Sequence, residues 1–357
     1  MTRHGAATSS RKRDHLEICC EMDVEQGQSG FSDVRLVHEA LPECDLGSID
    51  LGTRFLDREL GAPLFSAAMT GGHPETGDVN RRLAAAAERF GLAMGVGSQR
   101  AALEDPALAG TFTVVREAAP TAFLVANLGI VQLREHGTAW AEKAVEMIDA
   151  QAIAIHTNFL QEAIQPEGDH DARGCLQALV ELCRDFRYPV IIKETGSGIS
   201  RETARRILGA GAAAIDIGGL GGTSWALVES FRYPEEKRKV LNREFFSWGI
   251  PTVVSLHEVA STGAVTIATG GVRSGIDIAK GIALGAHLCG MALPLLRAAT
   301  AGDEALETTI AATLQQLRTA MFLTGSQNLA DLRGARVYIT GNTLQMLKDS
   351  IGGNYGR

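Results

Sequence analysis

The chain has 357 residues, of which 45% are hydrophobic and 21% charged, and its formal net charge is −8. This length fits one α/β barrel of roughly 250 residues with extensions, and the acidic charge argues against nucleic acid or an acidic membrane surface as a partner. The sequence shows no signal peptide, no apolar stretch of transmembrane length and no zinc-type Cys spacing, so we expect a cytoplasmic protein with reduced thiols.

The N-terminal part precedes any regular pattern of strands. Residues 1–10 are small and polar and predict disorder. The segment RKRDH at 11–15 opens a helical pattern, and its adjacent cations can clamp a phosphate, although alone they are more typical of a solvated tail. Residues 30–60 predict irregular structure with short strands. We therefore assign 1–61 to an N-terminal extension.

Short apolar runs that end in Gly, Ser, Thr or Asn recur from residue 62, and amphipathic stretches separate them. Such runs, alternating with helices at about 30-residue intervals, indicate buried parallel strands in βαβ units. Eight units predict a closed TIM (β/α)₈ barrel over 62–340 with a tail at 341–357; an open doubly wound sheet is the alternative. The runs lie at 62–69, 91–98, 122–129, 152–158, 189–196, 213–219, 265–271 and 287–294.

The spacing of the runs is interrupted after the sixth. Residues 220–250 form a long insertion that begins with glycines and carries the charged segment YPEEKRKV at 233–240. A long connection of this composition suits a mobile lid or an oligomer contact.

Reactive residues of such a barrel lie at the C-terminal ends of its strands. Here those ends are rich in glycine, amides and hydroxyls and poor in carboxylates, which favours a planar polar cofactor and an anion over carboxylate-based hydrolysis. Gly270 and Gly271 allow the backbone to approach a phosphate after run seven, and Arg273 can add charge. Two ordinary tight turns are the alternative interpretation.

Two further strand ends carry chemistry. Lys193 ends an apolar run and should point into the barrel mouth, where a reduced flavin could neutralise it; an ion pair with Glu194 or Asp216 is the alternative. His156 begins the segment HTNFLQEAIQPEGD at 156–169, whose amides and carboxylate suit a diphosphate bound partly through Mg²⁺. A buried core histidine is the alternative for His156 alone.

From about residue 11 to about residue 297 the chain resembles the type 2 isopentenyl-diphosphate isomerase family. Short pieces such as GGVR occur in many FMN barrels, whereas the 156–169 segment combined with an N-terminal Arg-Lys is far more specific. The matching motifs are, in order, RKRDHLEIC, AAMTGG, GSQR, ANLG, HTNFLQEAIQPEGD, IIKETGSG, IDIGGLGGTSWA, WGIPT, ATGGVRSGIDIAK and GMALP.

The resemblance implies conversion of isopentenyl diphosphate to dimethylallyl diphosphate in isoprenoid biosynthesis. Reduced FMN would be the acid/base, NADPH would only reduce the flavin, and a cytoplasmic homo-oligomer, a tetramer or octamer, is implied. The catalytic residues would be Lys193, Gln161 and His156, with Mg²⁺ on Glu162. The substrate-binding residues would be Arg11, Lys12, Ser98, Arg100, His156, Asn158 and Gln161. The FMN-binding residues would be Ala68, Met69, Thr70, Ser98, Asn127, Lys193, Thr223, Gly271, Val272, Arg273, Met291 and Ala292.

Four positions depart from the family pattern: Thr157, Thr195, Ser197 and Gly218. They leave open a paralogue that acts on another prenyl diphosphate. An FMN-dependent 2-hydroxy-acid oxidase or dehydrogenase would need a His-Gly-Gly-Arg turn, and the sequence has no histidine between 170 and 257. A nucleotide-oxidising barrel would need a catalytic cysteine in a strand-end loop, and these loops carry none, since Cys289 lies inside run eight. A non-catalytic flavin-binding or regulatory protein is the alternative from another class.

Overall fold

Eight parallel strands close into a barrel in the computed structural model of the chain, which describes residues 3–233, 240 and 242–352. The last strand pairs with the first through Cys289 and Leu64, so the predicted closed barrel is confirmed and the open sheet is wrong. Each apolar run contains one strand. The barrel strands are β4 (Leu64–Ser66), β5 (Ala93–Gly95), β6 (Leu124–Gly129), β7 (Ala152–Thr157), β8 (Val190–Glu194), β9 (Ala214–Asp216), β10 (Thr266–Thr269) and β11 (Leu288–Met291).

Helices surround the barrel, and five of them coincide with the amphipathic stretches between the apolar runs. These helices bury one face against the outer side of the strands, as their periodicity requires. In chain order the helices are α1 (Arg3–Glu21), α2 (Thr76–Phe90), α3 (Arg100–Glu104), α4 (Gly110–Ala118), α5 (Ile130–His136), α6 (Thr138–Met147), α7 (Phe159–Ile164), α8 (Cys175–Asp185), α9 (Arg201–Gly209), α10 (Trp225–Arg232), α11 (Thr252–Ala260), α12 (Gly275–Ala283), α13 (Leu293–Ala301), α14 (Asp303–Leu323), α15 (Leu329–Arg333) and α16 (Gly341–Gly352).

The alternation of side chains along the strands fixes which residues face the barrel interior. Two residues beyond the apolar interior positions of β6, β7 and β8, the same inward series reaches Asn127, His156 and Lys193. On β9 and β10 it reaches Asp216 and Thr269. The periodicity that builds the core therefore also places a ring of polar side chains at the mouth. The apolar interior residues of the eight strands are Phe65, Ala93, Val125, Ala152, Ala154, Ile191, Ala214, Ile267 and Leu288.

The N-terminal extension forms an arm, a hairpin and half of a small sheet. Helix α1 is the arm, and it begins at Arg3, so the prediction of disorder is wrong for residues 3–10. Strand β1 (Val34–Leu36) pairs antiparallel with β12 (Val337–Ile339), so the N-terminal extension contacts the C-terminal part of the chain. Strands β2 (Thr53–Phe55) and β3 (Arg58–Leu60) form a hairpin whose apolar residues pack against the barrel interior.

The insertion after β9 contains α10 and then reaches α11. Of the insertion 220–250, predicted as a mobile lid or an oligomer contact, residues 234–239 and 241 lie outside the described residues. Helix α16 occupies much of the predicted tail, whose residues 353–357 also lie outside them. Among the helices of the described chain, none has the length and apolar character needed to cross a bilayer.

Candidate active site

Two adjoining cavities open at the C-terminal ends of the barrel strands. The glycine-rich cavity is lined by backbone from the ends of β9, β10 and β11. The cationic cavity lies between α1 and the C-terminal ends of β5 to β8. The residues that line both cavities are Lys12, His15, Ala68, Met69, Lys193, Thr195 and Trp225. One ligand can therefore extend from the first cavity into contact with another in the second.

The structure brings together most of the residues that the sequence predicts for the site. The side chains of Val272 and Met291 instead pack in the core, so only their backbone is available to a ligand. The predicted residues that line the cationic cavity are Arg11, Lys12, Ala68, Met69, Ser98, Arg100, Asn127, His156, Asn158, Gln161, Glu162 and Lys193. Those that line the glycine-rich cavity are Lys12, Ala68, Met69, Thr70, Lys193, Thr223, Gly271, Arg273 and Ala292.

The tautomer of His156 follows from its neighbour Asn127. The amide nitrogen of Asn127 donates to the carbonyl oxygen of Val96 (2.9 Å), which turns its oxygen toward Nδ1 of His156 at 2.8 Å. Nδ1 therefore carries the proton in the neutral ring. Burial, with the positive charges of Lys193 and Lys12 nearby, lowers the pKa of His156 to about 3. In the absence of an anion, His156 is thus neutral at pH 7.

The amino group of Lys193 lies between two acidic residues but is not held by the carboxylate of Glu194. Its Nζ donates to the backbone oxygen of Glu194 at 2.7 Å. The carboxylate of Glu194 accepts instead from the N–H groups of Gly196 (2.6 Å) and Ser197 (2.5 Å). Burial raises the pKa of Glu194 to about 7, because these hydrogen bonds and Lys193 only partly offset desolvation.

Asp216 faces Lys193 from the neighbouring strand, where the two residues are in register. One oxygen of its carboxylate accepts from the hydroxyl of Thr269. The other oxygen is buried without a hydrogen-bond partner among the described residues. Burial raises the pKa of Asp216. Asp216 lines neither cavity, so this buried oxygen affects a ligand only through Lys193 beside it.

The turn after β10 is a backbone cradle beside the glycine-rich cavity. Gly270 and Gly271 have φ values of 107° and 71°, a region that favours glycine. A Cβ at Gly270 would lie 2.1 Å from the carbonyl oxygen of Gly219, and one at Gly271 would lie 2.3 Å from that of Gly221. The turn leads into α12, so its form fits the phosphate site expected after barrel strands seven and eight.

Positive charge accumulates where α1 covers the cationic cavity. Burial, together with the charges of Arg11 and Arg100, lowers the pKa of Lys12 to about 8. Arg100 has acidic neighbours, Glu104 at 2.7 Å and Asp169 at 3.7 Å. An anion that entered the cavity would relieve the repulsion among these cations and raise the pKa of Lys12.

A buried network that the sequence did not predict anchors α1 to α10. Glu229 is fully buried and accepts hydrogen bonds from His15 (2.9 Å), Gln161 (2.8 Å) and Arg232 (2.6 Å). Burial opposes its ionisation, but these partners outweigh burial and lower the pKa of Glu229 to about 2. In the sequence Glu229 resembles a solvent-facing helix acid. His15 follows Arg11 by four residues on one helix, and this spacing, which places both on the same helix face, was the sequence signal that could have indicated a second contact of α1.

Glu162 is held in a fixed orientation at the edge of the cationic cavity. Its carboxylate accepts from the amides of Asn158 (2.8 Å) and Gln165 (2.6 Å) and from the backbone N–H of Asp169 (2.8 Å). In the part of the chain that the structure describes, no three His, Cys, Asp or Glu side chains form a metal-binding group. Mg²⁺ at Glu162 would therefore take most of its ligands from waters and substrate oxygens, as Mg²⁺ commonly does.

Comparisons with known proteins agree on family and fold. The profile of the FMN-dependent dehydrogenase family matches residues 132–339. A protein of Methanoregula boonei called isopentenyl-diphosphate delta-isomerase is 65% identical over 96% of this chain and 97% of its own. A protein of Archaeoglobus fulgidus with the same name is 52% identical, over 94% of this chain and 97% of its own.

Solved structures add information on the fold alone. A mandelate oxidase bound to (S)-2-phenylpropionate superposes with a TM-score of 0.64 at 18% identity, covering 94% of this chain and 98% of the oxidase. The barrel fold is thus shared with mandelate oxidase, whereas the high sequence identity is to proteins called isopentenyl-diphosphate delta-isomerase.

Proposed function

Because the chain belongs to the isopentenyl-diphosphate delta-isomerase family, whose members share the FMN-dependent dehydrogenase barrel, we propose that it converts isopentenyl diphosphate to dimethylallyl diphosphate with FMN as cofactor. One observation carries the proposal: a glycine-rich cavity and a cationic cavity adjoin at Lys193. A flavin in the first would lie against a diphosphate substrate in the second.

The residues present fit FMN. Gly270 and Gly271 line the glycine-rich cavity with bare backbone, which a phosphate can approach closely. Arg273 lines the same cavity and can add a positive charge. Lys193 would face the flavin ring and stabilise its reduced, negatively charged form. Bound and reduced, FMN supplies an acid/base group for moving a proton without net oxidation.

The cationic cavity supplies the positioning of the substrate. Arg11, Lys12 and Arg100 would hold the diphosphate. The anion would raise the pKa of His156 by offsetting the nearby positive charges, although burial would still oppose its protonation. Glu162 would hold Mg²⁺ against the same diphosphate. Fixing a reactant in this way can contribute several kcal/mol to lowering a barrier.

The reacting alkene end would lie near Gln161 and the apolar wall of the glycine-rich cavity. Glu229 fixes the amide of Gln161, whose oxygen accepts from Asn158 at 3.2 Å. Leu16, Trp225 and Leu296 line the neighbouring wall, and with both ligands bound this apolar surface would exclude water. A carbocation-like transition state in this dry site is stabilised by nearby fixed dipoles and negative charge.

Three further elements belong to the proposal. NADPH would serve only to reduce the flavin, since the isomerisation itself is redox-neutral. Mg²⁺ would accompany the diphosphate at Glu162. A homo-oligomer in the cytoplasm, a tetramer or octamer, is the assembly that the family resemblance implies.

Turnover under anaerobic, reducing conditions tests the proposal. Protein incubated with isopentenyl diphosphate, FMN, NADPH and Mg²⁺ should give dimethylallyl diphosphate, identified by NMR or mass spectrometry. Lys193→Ala should lower turnover by about 100-fold or more with pre-reduced flavin, whereas Lys143→Ala, at an exposed lysine of α6, should not. Absence of product from the wild-type protein would overturn the proposal.

A further inference from the structure

The segment that follows α1, residues 22–30, lies across the loops that form the glycine-rich cavity. The N–H of Ser224 donates to the carbonyl oxygen of Val24 (2.8 Å), and the N–H of Gln26 donates to that of Gly222 (3.2 Å). This connecting segment therefore packs behind the loop at Gly222 and Thr223, which lines the proposed cofactor site, although its residues precede the barrel.

The connecting segment also brings a carboxylate to the phosphate turn. Glu25 forms an ion pair with Arg273, the only cationic side chain of the turn 270–273. The other arm of the guanidinium donates to the carbonyl oxygen of Val272 at 2.8 Å. Both partners are about one-third exposed, with side-chain exposures of 36% for Glu25 and 32% for Arg273. The guanidinium expected to meet a phosphate is thus already neutralised by a residue of the same chain.

We propose that Glu25 is a built-in competitor of the FMN phosphate for Arg273 and so sets the affinity of the protein for phosphorylated flavin. This inference rests on the proposed FMN site. A dianionic phosphate at the Gly270–Gly271 turn either draws Arg273 away from Glu25 or shares it, and in both cases it meets the repulsion of a nearby carboxylate. Partial exposure screens this repulsion, so its effect is moderate.

The competition acts on the phosphate alone, which gives a matched pair of ligands. Riboflavin has the same ring system as FMN but no phosphate. The ratio of the riboflavin Kd to the FMN Kd therefore measures how much the phosphate contributes to binding. Glu25→Gln removes the charge with little change of shape, and the ratio should rise roughly threefold to tenfold, chiefly because FMN binds more tightly.

The measurement is a titration of flavin fluorescence with wild-type protein and three variants. Glu25→Asp keeps the charge and should keep a ratio close to that of the wild type. Glu21→Gln removes a charge from an exposed position of α1, only four residues away, and should leave the ratio unchanged. Raising the ionic strength should shrink the gain of Glu25→Gln, since the effect is electrostatic.

Several outcomes would overturn the inference. A ratio that stays the same or falls in Glu25→Gln would show that Glu25 does not oppose the phosphate, and an equal rise in Glu21→Gln would show a general charge effect. Loss of both flavins in Glu25→Gln would mean that the ion pair builds the site. If wild-type protein bound neither flavin, the proposed function itself would fail, which is a distinguishable result.

Discussion

Lys12 links the charge of single residues to the pH dependence of substrate binding. Its pKa is lowered to about 8 in the protein without an anion, so it loses its charge as the pH rises through 8. We expect kcat/KM to fall above this pH, because that parameter reports the ionisation of the free enzyme. Lys12→Arg keeps its charge at any accessible pH and should remove this descending limb from the pH–rate profile. An unchanged limb in Lys12→Arg would assign it to another group.

Glu162 gives a second prediction at the scale of one side chain. Glu162→Gln keeps the shape but removes the charge that would hold Mg²⁺, so half-maximal activity should need roughly tenfold more Mg²⁺ or more. The measurement is a metal titration at saturating substrate. Glu167→Gln, at a half-exposed acid of the same loop, is the control. An identical titration for wild type and Glu162→Gln would exclude ligation there.

Two of the positions that depart from the family pattern, Thr157 and Thr195, are hydrogen-bonded to each other. The hydroxyl of Thr195 donates to the backbone oxygen of Thr157 (3.1 Å), and that of Thr157 donates to the backbone oxygen of Lys193 (3.3 Å). Gly218 has a φ of 46°, and a Cβ there would lie 2.0 Å from the backbone oxygen of Glu194. Thr195 lines both cavities, so it is the departure best placed to contact a substrate.

At the scale of elements, the junction of α1 with α10 depends on Glu229. Glu229→Ala leaves His15, Gln161 and Arg232 without their buried acceptor, and we expect a loss of about 3–5 kcal/mol in the free energy of unfolding at pH 7. Glu167→Ala removes a half-exposed partner of Arg232 and should cost about 0–1 kcal/mol. Urea denaturation of both variants measures the difference.

The pH dependence of the same network has a defined sign. The pKa of Glu229 is lowered to about 2 in the fold, against about 4.3 in an unfolded chain. Its contribution is therefore complete above about pH 4.3 and is lost as the pH falls toward 2. The difference in the free energy of unfolding between wild type and Glu229→Ala should therefore become smaller as the pH falls from about 4.3 toward 2. A gap that stays constant would mean that the carboxylate charge is not what stabilises the junction.

Local periodicity predicted the elements of the barrel well, because the hydrophobic pattern of a buried strand or an amphipathic helix is visible within a few consecutive residues. Each of the eight apolar runs holds a strand, and the strand ends bring His156 and Lys193 side by side in register. The pairing of β1 with β12, which places Val34 opposite Ile339, could not be predicted in this way, because no local sequence pattern shows which distant strand is the partner. The burial of Glu229 likewise arises only when α1 lies on α10.

At the scale of the whole molecule, residues from β4 to β11 line one site, so cofactor binding should stabilise the closed barrel. Free FMN at 100 times its Kd should raise the free energy of unfolding by about 2.7 kcal/mol, which thermal or urea denaturation can measure. Gly271→Ala introduces a Cβ that would lie 2.3 Å from the carbonyl oxygen of Gly221 and should abolish the increase. Equal transitions with and without FMN in the wild type would argue against the cofactor site.

The long-range contacts of α1 impose an order on folding. His15 is 214 positions away from Glu229, and Arg297 reaches back to the carbonyl oxygens of Cys19 and Met22. Helix α1 packs on α10 and α13, which are both parts of the barrel layer, so its docking surface exists only once these helices are in place. We therefore expect the helix that precedes the barrel in the chain to dock after it. Refolding should restore the barrel's circular dichroism before it restores diphosphate binding, so that a half-assembled molecule cannot yet trap its ligand.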